Sequence, residues 1–206
     1  MKIALAGPPQ SGKTENSVTF INTGWLFINL NETGDALRRI GGSLRPAFES
    51  LTPGEPILDS AGKRQVAYYK AVQRDPSVLQ EFTILELPHI IKAAEASLAM
   101  EGNLVLSWEQ WELIAGQIQV DHFLFLDSGT AWIERLRRRA YKRGYTGQPL
   151  PDEVLVELMT ASGFSPSQML KTLVEKVGRD RVIVVDTSAD DWGAENIQRA
   201  LTTLVG

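Results

Sequence analysis

The chain contains no cysteine, and its 206 residues include only two histidines, His89 and His122. Disulfide bonds, thiolate metal sites and cysteine nucleophiles are therefore excluded, and histidines so far apart in the chain do not predict a zinc site. No apolar run approaches the roughly 18 residues of a membrane-spanning helix. The amino-terminal residues lack the charged, then apolar, then small pattern of a secretory signal, so we expect a cytoplasmic protein without a membrane partner.

The composition is that of a globular protein, with 43% hydrophobic and 22% charged residues. Length and composition together predict one domain over residues 1–206 with a sizeable core. The formal net charge is −4, but residues 134–143 (ERLRRRAYKR) hold six basic side chains and one acidic side chain. The rest of the chain has 15 basic against 24 acidic side chains, a net charge of −9, so positive charge is concentrated in one segment.

Short apolar runs alternate with longer segments of helical periodicity. Nearly continuous apolar runs, typical of parallel strands covered on both faces, predict strands at 2–6, 25–30, 103–107, 122–126 and 181–185. Helical patterns are predicted at about 13–22, 63–73, 83–101, 109–119, 130–143, 152–161, 166–177 and 193–204. This order predicts an α/β fold with three layers and a five-stranded parallel sheet. Residues 41–62 interrupt the alternation and are predicted as loop.

A phosphate loop is predicted at Gly7–Thr14, directly after the first strand and before a helix. The segment GPPQSGKT fits the Walker A pattern G-x-x-x-x-G-K-[ST], whose backbone N–H groups surround phosphate oxygens. The predicted phosphate-binding residues are Gly7, Gln10, Ser11, Gly12, Lys13 and Thr14. We expect Lys13 to contact the β- and γ-phosphates of ATP and the Thr14 hydroxyl to hold Mg²⁺. The alternative is a strand-to-helix turn with an incidental lysine.

Beyond this loop, the chain resembles the P-loop nucleoside and nucleotide kinases, particularly the thymidylate kinase and deoxynucleoside kinase branches. The resemblance lies in the layout: an early phosphate loop, the acidic segment 31–39 after the second strand, a long helix before the third strand and a late arginine-rich helix. It implies a P-loop NTPase fold with an acceptor-side insertion at 41–75 and a lid region at 134–165. It also implies transfer of the γ-phosphate of ATP to a nucleoside or nucleotide.

Glu32 follows the second strand, at the sheet edge where doubly wound folds bind ligands. In deoxynucleoside kinases a glutamate in this segment is the general base toward the acceptor hydroxyl, so the resemblance nominates Glu32 for that role. A carboxylate near the γ-phosphate can deprotonate or orient a nucleophile. The alternative is that Asn31, Glu32 and Asp35 occupy the first turn of a helix, where acids and Asn are favoured.

Trp108-Glu109-Gln110-Trp111 follows the third strand. The resembling kinases carry an acid–arginine pair at this edge, so Glu109 is the candidate acid beside Mg²⁺, although no arginine follows it. Trp108 can stack on an acceptor base or pack in the core.

The arginine-rich helix follows the fourth strand, and in the resembling kinases such a helix and its lid close over the phosphates. The resemblance assigns charge neutralisation during transfer to Arg135 and Arg139, and contact with the nucleotide to Arg138. These three side chains share one helical face by their spacing. A solvated cationic helix and a nucleic-acid patch are the alternatives. Residues 144–151 are predicted to form the tip of the lid.

The acceptor-side candidates are Asp35, Arg45, Arg64, Tyr69 and Trp108. A hydroxyl acceptor would need a base, whereas a phosphate acceptor would need arginines, and the sequence leaves this choice open. Three further functions also stay open. One is a kinase that phosphorylates a hydroxymethylated base in DNA, with DNA as its partner. The second is a nucleotide-gated switch or accessory ATPase, and the third is a kinase that acts on a non-nucleotide metabolite. A homodimer is compatible with each of them.

Overall fold

The computed structural model describes residues 1–142, 151–161 and 163–205 and confirms the predicted five-stranded parallel sheet flanked by helices. The strands are β1 Lys2–Ala6, β2 Leu26–Asn29, β3 Leu104–Ser107, β4 His122–Asp127 and β5 Val182–Asp186. Each strand lies within one residue of its predicted bounds. The strand order is β2-β3-β1-β4-β5, and every neighbouring pair is parallel, which places β1 at the centre.

The helices are α1 Ser17–Asn22, α2 Asn31–Arg38, α3 Arg45–Ser50, α4 Val66–Arg74, α5 Ser77–Leu98, α6 Trp111–Ile114, α7 Ala131–Lys142, α8 Asp152–Ala161, α9 Pro166–Val177 and α10 Ala194–Val205. A 3₁₀ turn at Arg179–Arg181 leads into β5. Within the described ranges, no helix combines the length and the apolar character that crossing a bilayer requires.

Three predicted helix bounds were wrong. Helix α1 begins at Ser17 rather than at residue 13, because residues 11–16 form turns around the lysine of the phosphate loop. Helix α5 begins at Ser77 rather than at residue 83, immediately after Pro76, and α6 is a single turn. Helix α3 lies inside the segment predicted as loop, and its six residues, with a proline in the first turn, are too few to show a helical period.

Two apolar clusters cover the faces of the sheet, and a third lies beside it. Helices α5, α6 and α9 cover one face, where Trp111 and Phe123 are buried, while α1 and α10 cover the other through Phe20 and Ile197. The edge strand β2 is only half covered, contrary to the expectation that both faces of every strand are buried. The third cluster joins α3 and α4 to α5 and contains Phe48, Ile57, Leu58, Tyr68, Val72, Val78, Leu79 and Phe82.

The parallel arrangement brings four loops to one edge of the sheet. Gly7 follows β1, Trp108 follows β3, Ser128 follows β4 and Thr187 follows β5. Ligands of doubly wound α/β proteins bind outside the carboxyl ends of the strands, so this edge is the expected position of a site.

Candidate active site

The phosphate loop leaves β1 through backbone conformations that favour glycine. Gly7 has a φ of +137°, and a Cβ atom there would lie 2.7 Å from the carbonyl oxygen of Leu126 and 2.8 Å from the Ser11 hydroxyl. Gln10 is in the left-handed region with a φ of +65°. A side chain at position 7 would therefore be excluded both by conformation and by contact with the neighbouring strand.

Lys13 lies folded back into this loop. Its ammonium donates to the carbonyl oxygens of Gly7 at 2.6 Å and Pro8 at 2.8 Å, and to the Ser11 hydroxyl at 3.3 Å. The residue is only 6% exposed. Burial lowers the pKa of Lys13 to about 8, although the negative charge of Glu109 acts to raise it. The site thus holds a desolvated cation among carbonyl oxygens that a phosphate can replace.

The loop after β5 closes over the phosphate loop. The hydroxyl of Thr187 donates to the carbonyl oxygen of Ser11 at 2.8 Å. The amide of Asn16 donates to the carbonyl oxygens of Gly12 and Trp192, each at 2.9 Å. Because the two loops share these hydrogen bonds, the backbone of the phosphate loop is held before any ligand binds.

Arg135 of α7 joins this assembly. Its guanidinium donates to the carbonyl oxygens of Thr187 and Ala189, both at 2.7 Å, and lies 3.9 Å from the centroid of the Trp192 ring. Burial lowers the pKa of Arg135. A cation this close to an indole face is held by cation–π attraction, which is stronger in a desolvated site. In this structure, Arg135 therefore ties α7 to the loop after β5.

The neighbouring arginines of α7 have different surroundings. Arg138 is exposed and pairs with Glu134 at 3.1 Å, while Arg137 pairs with Asp152 of α8. Arg139 is also exposed, and its positive charge contributes to the lowered pKa of Lys13, which burial dominates. Arg139 is thus a predicted lid arginine whose positive charge acts on Lys13 of the phosphate loop. Of the predicted lid tip, residues 144–150 lie outside the described residues.

Glu32 lies in the first turn of α2 and is exposed. It lines a cavity of about 720 Å³ whose wall also includes Thr14, Ser17 and Asn29. The structure therefore brings Glu32 and Thr14 to one cavity, between the turn that follows the phosphate loop and α2. The position of Glu32 in the first turn of α2 agrees with the alternative interpretation of this segment, in which its acids favour the start of a helix.

A buried ion-pair network of Asp35, Arg38, Arg64 and Glu86, called the acceptor-side network after the insertion predicted at 41–75, joins α2 to α5. Arg38 pairs with Glu86 of α5 and with Asp35 at 2.5 Å, and its Nε donates to the carbonyl oxygen of Gly62 at 2.8 Å. Arg64 approaches the second oxygen of Glu86 at 3.4 Å. Burial, together with the positive charge of Arg64, lowers the pKa of Arg38 to about 10.

Aromatic rings support the arginines of this network. The guanidinium of Arg64 lies 5.2 Å from the ring centroid of Tyr68 and 5.3 Å from that of Phe82. Tyr69 packs edge-on against Tyr68 and is partly exposed. Burial raises the pKa of the Tyr68 hydroxyl, and neither this hydroxyl nor Arg64 Nε has a hydrogen-bond partner among the described residues. Arg45 is held by Glu49 and by the carbonyl oxygens of Arg38 and Asp59.

The charge of Glu109 acts on both the phosphate loop and the acceptor-side network. Glu109 is partly exposed at the end of β3, and its charge raises the pKa of Lys13 in opposition to burial. Burial also acts to lower the pKa of Arg64, but Tyr68, Tyr69 and Glu109 outweigh it and the pKa is raised. One carboxylate thus acts electrostatically on both the phosphate loop and the acceptor-side network.

Trp108 is 5% exposed and packs edge-on against Trp111, with ring centroids 6.3 Å apart. The structure gives Trp108 a packing contact, so stacking on an acceptor base would require the ring to be uncovered. Sequence reasoning missed Glu86, Glu112 and Trp192. Burial raises the pKa of Glu112 to about 7, and its charge acts on Lys13. For Glu86, the signal was an acid within an apolar helical run, ILELPHII.

No protein-family model matches the sequence, and no curated protein sequence matches it. Solved structures do match. The TT1252 protein from Thermus thermophilus is 17% identical with a TM-score of 0.62, covering 100% of this chain and 98% of that one. Deoxyadenosine kinase from M. mycoides, solved with bound dATP, is 14% identical with a TM-score of 0.55, covering 100% of both chains. Together with the Walker A loop and the sheet order, these similarities show that the chain has a P-loop nucleoside or nucleotide kinase-like fold.

Proposed function

We propose that this protein is an ATP-dependent phosphotransferase that moves the γ-phosphate to a nucleoside or nucleotide acceptor. The observation that carries the proposal is the cavity of about 720 Å³ that Thr14 of the phosphate loop shares with Glu32 of α2, since a donor and an acceptor could meet there. A kinase needs two ligand sites that meet at the transferring phosphate. A switch or accessory ATPase needs only the first. The deoxyadenosine kinase similarity supports the same proposal through the fold.

The donor side would act by positioning and charge neutralisation. Lys13 would exchange the carbonyl oxygens of Gly7 and Pro8 for phosphate oxygens, gaining charge-assisted contacts in a desolvated site. Arg139 would add a second positive charge from α7. Arg138 is a further candidate for nucleotide contact, once it leaves Glu134. Such preorganised charges stabilise the transferring phosphoryl group.

The residues present fit a magnesium ion. The described residues contain no group of three His, Asp or Glu side chains that could hold a metal by themselves. Mg²⁺ bound with a nucleotide needs only one or two protein oxygens, because phosphates and waters complete its shell. Thr14 and Glu109 are the candidates for those oxygens. The ion would neutralise charge on the phosphates.

Two carboxylates are candidates for the base that accepts the proton of an acceptor hydroxyl. Glu32 shares a cavity with Thr14 and is accessible to solvent, which supports it. Glu109 lies closer to the centre of the sheet edge, since β3 is adjacent to β1 and β2 is not. We assign the base role to Glu32 and the metal-side role to Glu109.

The test is transfer from γ-labelled ATP to deoxynucleosides, their 5′-monophosphates, and plain and hydroxymethylated DNA. We expect label on a nucleoside or nucleotide with the wild-type protein, at a rate about 10²–10³-fold lower with Lys13→Ala. Glu32→Gln should lower the turnover about 10²–10⁴-fold, the usual contribution of a general base. Glu195→Gln, at an exposed residue whose ion pair is with Arg199, is the matched control. Full turnover in Glu32→Gln would remove its base role, and label on DNA alone would favour the DNA kinase.

Charge pairing on α7 favours the small acceptor over DNA. Arg137 and Arg138 already face Asp152 and Glu134, so the surface charge of this helix is partly neutralised. Broad DNA contact would instead require several unpaired cations and would weaken steeply with salt.

A further inference from the structure

The acceptor-side network is balanced in charge without any ligand. Its two arginines, Arg38 and Arg64, face the carboxylates of Asp35 and Glu86. Arg38 and Glu86 are 4% and 6% exposed, so these charges interact with little screening by water.

The arginine donors on this side are largely used within the protein. Arg38 uses both terminal nitrogens on carboxylates and its Nε on the carbonyl oxygen of Gly62. Arg45 is engaged by Glu49 and by two carbonyl oxygens. A phosphate monoester brings a charge of about −1.5 to −2 and calls for several available cationic donors. This network offers few of them.

Two polar atoms in the network are nevertheless buried without a partner in the part of the chain that the structure describes: the hydroxyl of Tyr68 and the Nε of Arg64. Tyr68 is fully buried, and a buried polar group without a hydrogen bond is destabilising. Arg64 retains some exposure, and the partly exposed Tyr69 and Glu109 act electrostatically on it. The network thus contains one uncharged and one cationic donor that are buried and have no hydrogen-bond partner among the described residues.

We infer that Arg64 and Tyr68 determine acceptor specificity by donating hydrogen bonds to an uncharged, oxygen-bearing group, so that the acceptor is a nucleoside rather than a nucleoside monophosphate. This inference rests on the proposed function, because it names the acceptor class of the same site. Hydroxyl and carbonyl oxygens can accept from both donors without adding charge to a network that is already neutral. A phosphate would add uncompensated negative charge beside Glu86 and Glu109.

Calorimetric titration of the full chain, saturated with a non-hydrolysable ATP analogue, tests the inference by binding. The probes are the four deoxynucleosides and their 5′-monophosphates. We expect at least one nucleoside to bind more tightly than its own monophosphate, and Tyr68→Phe to weaken that nucleoside about fivefold through one lost hydrogen bond. The affinity for the ATP analogue should not change. A merely structural Tyr68 would leave nucleoside affinity unchanged, because the ring and its packing remain.

Arg64→Lys supplies a second variant that keeps the positive charge but removes the Nε donor. It should weaken the nucleoside as well, whereas retention of full affinity would overturn the role of Arg64. Tighter binding of a monophosphate than of its nucleoside, or no binding of any nucleoside, would overturn the inference. Because the readout is binding, it is separable from transfer: nucleoside binding without transfer would defeat the proposed kinase activity alone, and transfer to monophosphates would defeat this inference alone.

Discussion

The donor side and the acceptor side of this molecule are built in different ways. The donor side is a short continuous loop, whose lysine contacts carbonyl and hydroxyl groups within six residues of it. The acceptor side brings together Arg38, Arg64 and Glu86 from separate parts of the chain through side-chain ion pairs. The first is specified by local backbone conformation and the second by tertiary packing. In the proposed reaction, donor recognition would therefore rest on one sequence motif, whereas acceptor recognition would require the folded domain.

Removing the Glu86 carboxylate, which pairs with both Arg38 and Arg64, should cause the largest loss in the free energy of unfolding. Glu86→Gln leaves Arg38 and Arg64 with one negative charge fewer in a buried site, and breaking a buried pair costs about 3–5 kcal/mol. Urea unfolding should show this loss in the free energy of unfolding. Glu195→Gln, which disrupts an exposed pair, should change stability by about 0.5 kcal/mol or less. Equal effects in the two variants would contradict the proposed importance of burial.

Removing the donor-side cation should affect turnover rather than folding. Lys13→Ala should lower phosphate transfer about 10²–10³-fold, because it removes a preorganised charge at the transferring group. The fold should persist, since burial of the Lys13 charge is itself unfavourable, as its lowered pKa indicates. Labelled-ATP assays and thermal unfolding on the same preparation separate the two effects. Lys171→Ala, at an exposed site on α9, is the control. A Lys13→Ala protein that keeps its activity but unfolds at a lower temperature would contradict the assignment of Lys13 to turnover rather than folding.

The backbone of the phosphate loop offers a smaller perturbation. Gly7→Ala should destabilise the protein by about 2–3 kcal/mol, because a Cβ there meets the carbonyl oxygen of Leu126 in a conformation that side chains rarely adopt. Gly24→Ala has a similarly positive φ of +85° but no atom within 4 Å, so it should cost about 1 kcal/mol. Denaturant unfolding compares the two. Equal losses would show that contact with β4 is unimportant.

The smallest predicted effect is the pH dependence of ATP binding. Phosphates favour protonated Lys13, whose pKa in the free protein is lowered to about 8 by burial. Binding should therefore be at full strength below pH of about 8 and should weaken by up to about tenfold per pH unit above it, with proton uptake on binding. Calorimetry in buffers of different ionisation enthalpy measures both. Lys13→Ala should show no such dependence, and an equally flat wild-type profile would contradict the role of Lys13.

The same contrast explains how much could be predicted from sequence. The five strands and the phosphate loop were predicted because apolar runs and the GPPQSGKT motif are local signals. The partners of Arg38 and Arg64 were not, since Glu86 lies far along the chain and its burial depends on how α5 packs against α2. Arg135 was predicted to act on phosphate, and its contact with Trp192 could not be inferred because it arises only when α7 packs against the loop after β5.

The central claim is that the two sides serve one transfer reaction. The most direct measurement determines, in a single reaction, the ADP released from ATP and the phosphorylated deoxynucleoside formed. We expect equal amounts of the two products in the wild-type protein, with the formation of both about 10²–10³-fold slower in Lys13→Ala. Release of ADP and inorganic phosphate without any phosphorylated acceptor would contradict it and would indicate an ATPase.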